Sequence, residues 1–327
     1  MQLDKIEEKD LKIGLANQVV FAKTLEELTT NDKAILIVTS DSRGSGKLVP
    51  FSERYPKQIV EVGIAEQNLV GVAAGLASAG KKAFAVSPAC FLSARALEQI
   101  KNDVAYSDNP VKLVGISAGL SYGALGTTHH SLHDFAVLRA INNLTIVAPA
   151  DNFETEQAVR KAAEFNKPIY LRFGKKPMPF LNEANHCFEF GKGRVVREGK
   201  DLAIIANGET VYPALLAANL LEEKHGKKTS VISMHTIKPL DTELLEELAS
   251  NGRPILTVEE HMVNGGLGEA CASYLLQNGF SNPFKIEGIP DEYTITGSQM
   301  EIFDHYGISQ KGLVASALEL LKKINLL

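Results

Sequence analysis

Cysteine is scarce in this sequence. Cys90, Cys187 and Cys271 are three among 327 residues, too few and too scattered for a disulfide framework or a zinc site. Long hydrophobic runs are missing as well, since none approaches the ~20 residues that a membrane-spanning helix needs. The amino end, MQLDKIEEKDLK, carries both charge signs and lacks the apolar stretch of a signal peptide. No block of basic residues occurs: 34 Lys plus Arg stand against 39 Asp plus Glu, a formal charge of −5, which argues against a nucleic-acid partner. Internal repeats and low-complexity segments are absent. So are three signatures: no GxGxxG follows the first strand pattern, no GxxxxGK[ST] appears, and no GxSxG marks a nucleophile elbow. What is present is 45% hydrophobic and 22% charged, the balance of a folded chain, at about twice the length of one typical domain. The expectation is a soluble, cytoplasmic, two-domain protein with no membrane or nucleic-acid partner.

Short β-branched runs alternate with helical patterns. Residues 34–40 (AILIVTS), 58–62, 82–86, 111–117 (VKLVGIS), 145–148 and 168–173 (PIYLRF) read as strands. Helical stretches at 65–79, 91–106, 132–141 and 152–165 separate them. Strands spaced by helices indicate a mostly parallel sheet covered on both faces. Gly174–Arg197 has no sustained period and several Gly and Pro, so it reads as an interdomain segment. A second α/β series follows, with strands at 202–207, 229–234, 254–259 and 284–289 and helices at 210–224, 241–249, 267–278 and 310–324. The expected fold class is α/β, with domains over 1–185 and 186–327.

Two segments concentrate chemistry. Val62-Gly63-Ile64-Ala65-Glu66-Gln67-Asn68 ends a strand and opens a helix rich in small residues, with Gly71 and Gly75 four apart. Glu66 there is either a charge stabilised by the helix dipole or a functional carboxyl. Gly119–Asp134, GLSYGALGTTHHSLHD, leaves the carboxyl end of a strand, where open α/β sheets place ligands. His129, His130 and His133 lack the helical HExxH spacing, and a binding loop is favoured over a metal site. Asp41-Ser42-Arg43-Gly44-Ser45-Gly46-Lys47 also follows a strand and offers amides and hydroxyls for an anion. Val263–Gly268 opens a helix in the second series and reads as a tight turn.

In order along the chain, the strand leading to GIAEQN and its small-residue helix, SPACFLSARALEQI, GTTHHSLHD and YLRFG resemble the pyrimidine-binding domain of transketolases and deoxyxylulose phosphate synthases. MHTIKPLD at 234–241 and VEEHMVNGGLGEA at 258–270 resemble the C-terminal domain of the same family. That family holds the diphosphate of thiamine diphosphate and its Mg²⁺ through a GDG motif in an amino-terminal domain, and this chain has no Gly-Asp-Gly. The resemblance is therefore to the carboxyl-terminal subunit of a split transketolase. It implies thiamine diphosphate and Mg²⁺ as cofactors, with metal and diphosphate held by a GDG-containing partner subunit and no metal ligand here. It also implies a heterotetramer of two copies of each chain, inactive without the partner, that transfers a two-carbon ketol unit from a ketose phosphate to an aldose.

Residue roles follow from the same resemblance. Glu66 matches the glutamate that shares a proton with the aminopyrimidine ring nitrogen and so promotes ylid formation. Such a carboxyl must be desolvated, and the expectation is that Glu66 becomes buried only when partner and cofactor close over it. Ser87–Arg95 matches the pyrimidine pocket, with Arg95 near the cofactor and either Phe91 or Leu92 against the ring. Asp41 matches an acid near the cofactor, His129 a histidine on the ketose oxygen, and Ser45 and Arg172 contacts to substrate phosphate. Gln18, Ser117 and Leu125 depart from the family's Arg, His and Asp, so the phosphate end is held differently or the acceptor is unusual. Two other readings remain open: a β chain of a thiamine-dependent 2-oxo-acid dehydrogenase, and a non-catalytic scaffold subunit.

Overall fold

The computed structural model describes residues 11–181 and 187–324. Most of the MQLDKIEEKDLK segment therefore lies outside the described residues, as does part of the expected interdomain segment. The central element is a seven-stranded sheet. From edge to edge its strands are Thr236–Lys238, Thr145–Val147, Ile169–Phe173, Lys112–Ile116, Lys82–Pro88, Ile35–Thr39 and Ile59–Glu61. All pairs are parallel except the first, where Thr236 lies opposite Val147 in antiparallel sense. Helices on both faces explain why the inner strands are continuous apolar runs: every residue of Lys112–Ile116 and Ile169–Phe173 is buried. Gly115 sits between them because a Cβ there would meet the Tyr170 hydroxyl at 2.3 Å.

A second, five-stranded sheet runs Phe284–Ile289, Ile255–Met262, Leu202–Ala206, Thr229–Ser233, Arg194–Arg197, antiparallel only at the last pair. The two α/β units are not separated by a bare linker. Pro177–Pro179 pairs antiparallel with Ile13–Ala16, and Arg194–Arg197 is a strand of the second sheet. The expected structureless Gly174–Arg197 is thus corrected: both described ends hydrogen-bond to neighbours. Thr236–Lys238 returns from the second unit to extend the first sheet, and one apolar cluster runs from Val38 and Leu69 through Ile205 and Ile232 to Leu267.

The helix expected over 91–106 is divided. Ala89–Arg95 is α-helical, a short turn follows at Leu97–Gln99, and Ile100–Tyr106 is wound as a π-helix. Among the described residues, no helix is long and apolar enough to cross a membrane.

Candidate active site

In the parallel part of the first sheet every strand points its carboxyl end to the same edge, so the segments that follow the strands gather there. Ile35–Thr39 leads to residues 40–48, Ile59–Glu61 to Glu66, Lys82–Pro88 to Phe91 and Arg95, Lys112–Ile116 to the 117–133 loop, and Ile169–Phe173 to Lys175. Ser40 donates to Ser87 at 2.8 Å and fixes the first of these segments against its neighbour.

Glu66 begins the helix Glu66–Ser78 and is only 3% exposed. Both carboxylate oxygens accept from Arg95 Nη1, each at 3.0 Å. Arg95 itself is half exposed, 48% by side chain. The expectation that Glu66 is buried only on assembly is therefore corrected. Its own helix start and the Arg95 guanidinium already exclude water in the single chain. A dry carboxylate covered by a displaceable cation can exchange that cation for the donor of an incoming base.

Phe91 flanks the pair: the Arg95 guanidinium carbon lies 4.2 Å from its ring centroid. Its other neighbour is His129, edge-on at 5.3 Å, which in turn meets Tyr122 at 5.5 Å. Leu92 is corrected as a ring contact. It is fully buried in the core, because one residue of helix turns the side chain from the site to the sheet. Phe91 is the residue whose aromatic face is available for stacking.

Asp41 and Ser45 lie in the loop after Ile35–Thr39. Asp41 is exposed at φ 50°, and its amide donates to Glu61 Oε1 at 2.7 Å. Glu61 also takes the Gly63 amide at 3.0 Å and pairs with Arg43 at 3.3 Å, so one carboxylate shapes two of the site's loops. Ser45 is partly exposed.

Arg172 does not face this site. It is 5% exposed, and its Nε donates to Asp134 Oδ2 at 2.8 Å. Nη2 donates to the carbonyls of Ser131 and Glu260, each at 2.9 Å. Tyr170 adds its hydroxyl to the same carboxylate at 2.7 Å. Burial alone raises the Asp134 carboxyl, but the Arg172 charge and these hydrogen bonds outweigh it and leave it below the ordinary range. The expected phosphate contact at Arg172 is corrected on that ground: its donors hold the protein together. Gln18 and Ser117 are buried as well, with Ser117 Oγ donating to Gln18 Oε1 at 3.4 Å, so a neutral pair fills the place of two cations. Leu125 is 55% exposed.

The cationic groups that do face the site are Lys175 and Lys47. Lys175 Nζ lies 4.6 Å from the Tyr122 ring centroid. Burial lowers the Lys175 ammonium from its usual value, and the charge of Lys47 lowers it further. Neither lysine has an ion-pair carboxylate among the described residues. Sequence reasoning misses Lys175 and Tyr122. The usable signal is position, since Lys175 follows a strand at the same carboxyl edge as every other site residue. The three histidines do not converge: His130 bonds Thr294 and Gly123, and His133 faces Ser93 at 3.3 Å. Among the described residues no group of His, Cys, Asp and Glu is arranged to hold a metal ion.

Comparison with known proteins places this geometry. Residues 14–179 match the model of the transketolase pyrimidine-binding domain, and residues 191–313 match that of the transketolase C-terminal domain. One of the two chains of an apulose-4-phosphate transketolase from Phocaeicola vulgatus is 48% identical over 305 residues, which cover 93% of this chain and 96% of that protein. A 6-deoxy-6-sulfo-D-fructose transketolase subunit from a Clostridium strain is 32% identical, covering 93% and 94%. A solved split-gene transketolase, described as an inactive β4 tetramer, superposes with a TM-score of 0.85 at 35% identity, covering 94% of this chain and 99% of that one. With a carboxylate, an arginine, an aromatic ring and a histidine gathered at one sheet edge, and with both domain models matched along its length, the chain belongs to the transketolase family.

Proposed function

We propose that this chain is the pyrimidine-side subunit of a two-chain transketolase that moves a two-carbon ketol unit from a ketose phosphate to an aldose. The observation that carries the reading is the buried Glu66 carboxylate under the half-exposed Arg95, beside the Phe91 face. This donor set fits the pyrimidine half of thiamine diphosphate: an acceptor that can hold one proton, a ring to stack on, and a cation free to move aside. When bound, the cofactor supplies the nucleophilic carbon and the electron sink. Glu66 holds the proton at the ring nitrogen, Phe91 fixes the ring plane, and His129 donates to the substrate oxygen. Asp41 lies beside the cofactor and Ser45 near the substrate's anionic end. Mg²⁺ and the diphosphate are assigned to a GDG-containing partner subunit in a heterotetramer. Gly71 and Gly75, with open space where a Cβ would stand, mark a candidate contact face.

The substrate's charged end is assigned to Lys175 and Lys47 instead of Arg172. The names of two relatives, one a sugar phosphate transketolase and one a sulfosugar transketolase, favour an anionic terminus. Hydrogen bonds to charged groups contribute about 1.5–3 kcal/mol. Lys175→Gln should therefore raise KM for a phosphorylated sugar by roughly 10–100-fold at nearly constant kcat, with little effect on an uncharged sugar. Equal losses on both substrates would remove the assignment.

The reading as a whole is tested by reconstitution. The purified chain with thiamine diphosphate and Mg²⁺ should show no ketol transfer, and addition of its GDG-containing partner should produce it. Turnover by the chain alone, or decarboxylation of 2-oxo acids by the complex in place of transfer, would overturn it.

A further inference from the structure

The 117–133 loop belongs to the first domain, yet the second domain supplies most of its polar anchors. Glu260, on the strand Ile255–Met262, is 3% exposed. Its Oε1 accepts the Leu120 amide at 2.7 Å and Gln299 Nε2 at 2.6 Å. The carboxyl fills the space that a side chain at 119 would need. Gly119 stands at φ 59°, and a Cβ there would lie 2.3 Å from Glu260 Cδ. Gln299 Nε2 also donates to Glu209 Oε2 at 2.8 Å, which ties two buried acids together.

The middle of the loop is held by residues 294–297. Thr294 Oγ1 lies 2.7 Å from His130 Nδ1 and 3.1 Å from Thr127 Oγ1. His130 Nε2 is 2.9 Å from the Gly123 carbonyl, which only accepts. The proton is thus on Nε2, and Nδ1 accepts from the Thr294 hydroxyl. Burial lowers the His130 imidazolium from its usual range, which keeps this neutral form in place. Gly123 packs so closely that a Cβ would approach the Gly297 carbonyl to 2.5 Å. At the far end Met262 donates its amide to the Leu132 carbonyl at 3.0 Å. His129 sits directly between the anchored residues Thr127 and His130.

Burial and the charge of Glu209 push the Glu260 carboxyl up to about 8, against the pull of Arg172. Near neutrality Glu260 is therefore a neutral hydrogen-bonding group, and Gln can reproduce its acceptor oxygen.

We propose that Glu260, Gln299 and Thr294 are positioning residues: the second domain holds the loop that carries Tyr122 and His129 in the one geometry that meets substrate. The proposal rests on the assignment of His129 to substrate. It gives the second domain a part in the reaction without any contact of its own to the reacting atoms.

The test pairs amide hydrogen exchange of the full chain with steady-state kinetics of the reconstituted complex. Glu260→Ala and Thr294→Val should each speed exchange across 119–130 by about tenfold or more, with the rest of the first sheet unchanged. In the complex both should raise KM and lower kcat/KM by roughly 10–100-fold, while thiamine diphosphate binding stays at the wild-type value. Glu260→Gln should restore both exchange and kinetics. Thr294→Val leaves the buried acids untouched and decides the matter if Glu260→Ala does not fold. Wild-type exchange in the loop of Thr294→Val, or a kcat/KM loss that Glu260→Gln does not rescue, would overturn the proposal. If the wild-type complex shows no ketol transfer, the functional reading fails, and the exchange data alone show whether the second domain anchors the loop.

Discussion

Glu66→Gln should leave the chain folded and able to assemble, yet lower ketol transfer by the reconstituted complex by about 10²–10⁴-fold, the usual range for a lost proton-transfer group. The substitution keeps the shape of the side chain and one acceptor oxygen but removes the carboxyl that takes and returns a proton. Its structural cost is small because the lost partner, Arg95, is half exposed and regains water. Pairs of that kind contribute at most about 1 kcal/mol. Circular dichroism, thermal melting and partner binding should therefore match the wild type while turnover falls. Since Glu66 is already dry in the single chain, no part of the effect should arise from altered assembly. A variant with unchanged turnover would remove Glu66 from the chemistry and leave it as a helix-start charge held by Arg95.

Arg172→Met should produce the largest loss of stability among the residues considered. Arg172 and Asp134 form a buried pair with side-chain exposures of 4% and 0%. Removing the guanidinium strands the Asp134 carboxylate and frees the carbonyls of Ser131 and Glu260, all away from water. Breaking a buried pair from one side costs about 3–5 kcal/mol, because the surviving charge is uncompensated. Urea denaturation of the full chain should show that loss, and Asp134→Leu combined with Arg172→Met should recover part of it. A phosphate-binding arginine would behave otherwise, with KM raised for charged substrates and stability near the wild-type value. The measurement therefore separates the sequence expectation from the buried role that the fold assigns.

The strand–helix alternation is legible in the sequence because the inner strands are buried on both faces and so read as unbroken apolar runs. Ile13–Ala16, Arg194–Arg197 and Thr236–Lys238 are not legible in the same way. They hold four, four and three residues and take their order from partners far away in the chain. Glu66, Phe91, Arg95 and His129 stand out because each follows a strand end within a distinctive motif. Lys175 follows a strand end too, but Gly-Lys-Lys carries no signature of its own. The choice between Phe91 and Leu92 depends on the rotation of a short helix, which a one-residue offset reverses. The place of Arg172 is decided by Asp134, 38 residues away, a partnership that no local window displays.

Although two separate family models describe its halves, the chain does not behave as a pair of interchangeable modules. Thr236–Lys238 is stitched into the margin of the first sheet beside Thr145–Val147, a mainchain seam fixed by register and not by side-chain fit alone. A chimera that borrowed its second half from a relative would import that hem, together with the carboxyl that fills the void at Gly119. The two halves are therefore constrained to diverge in step, as one inherited unit.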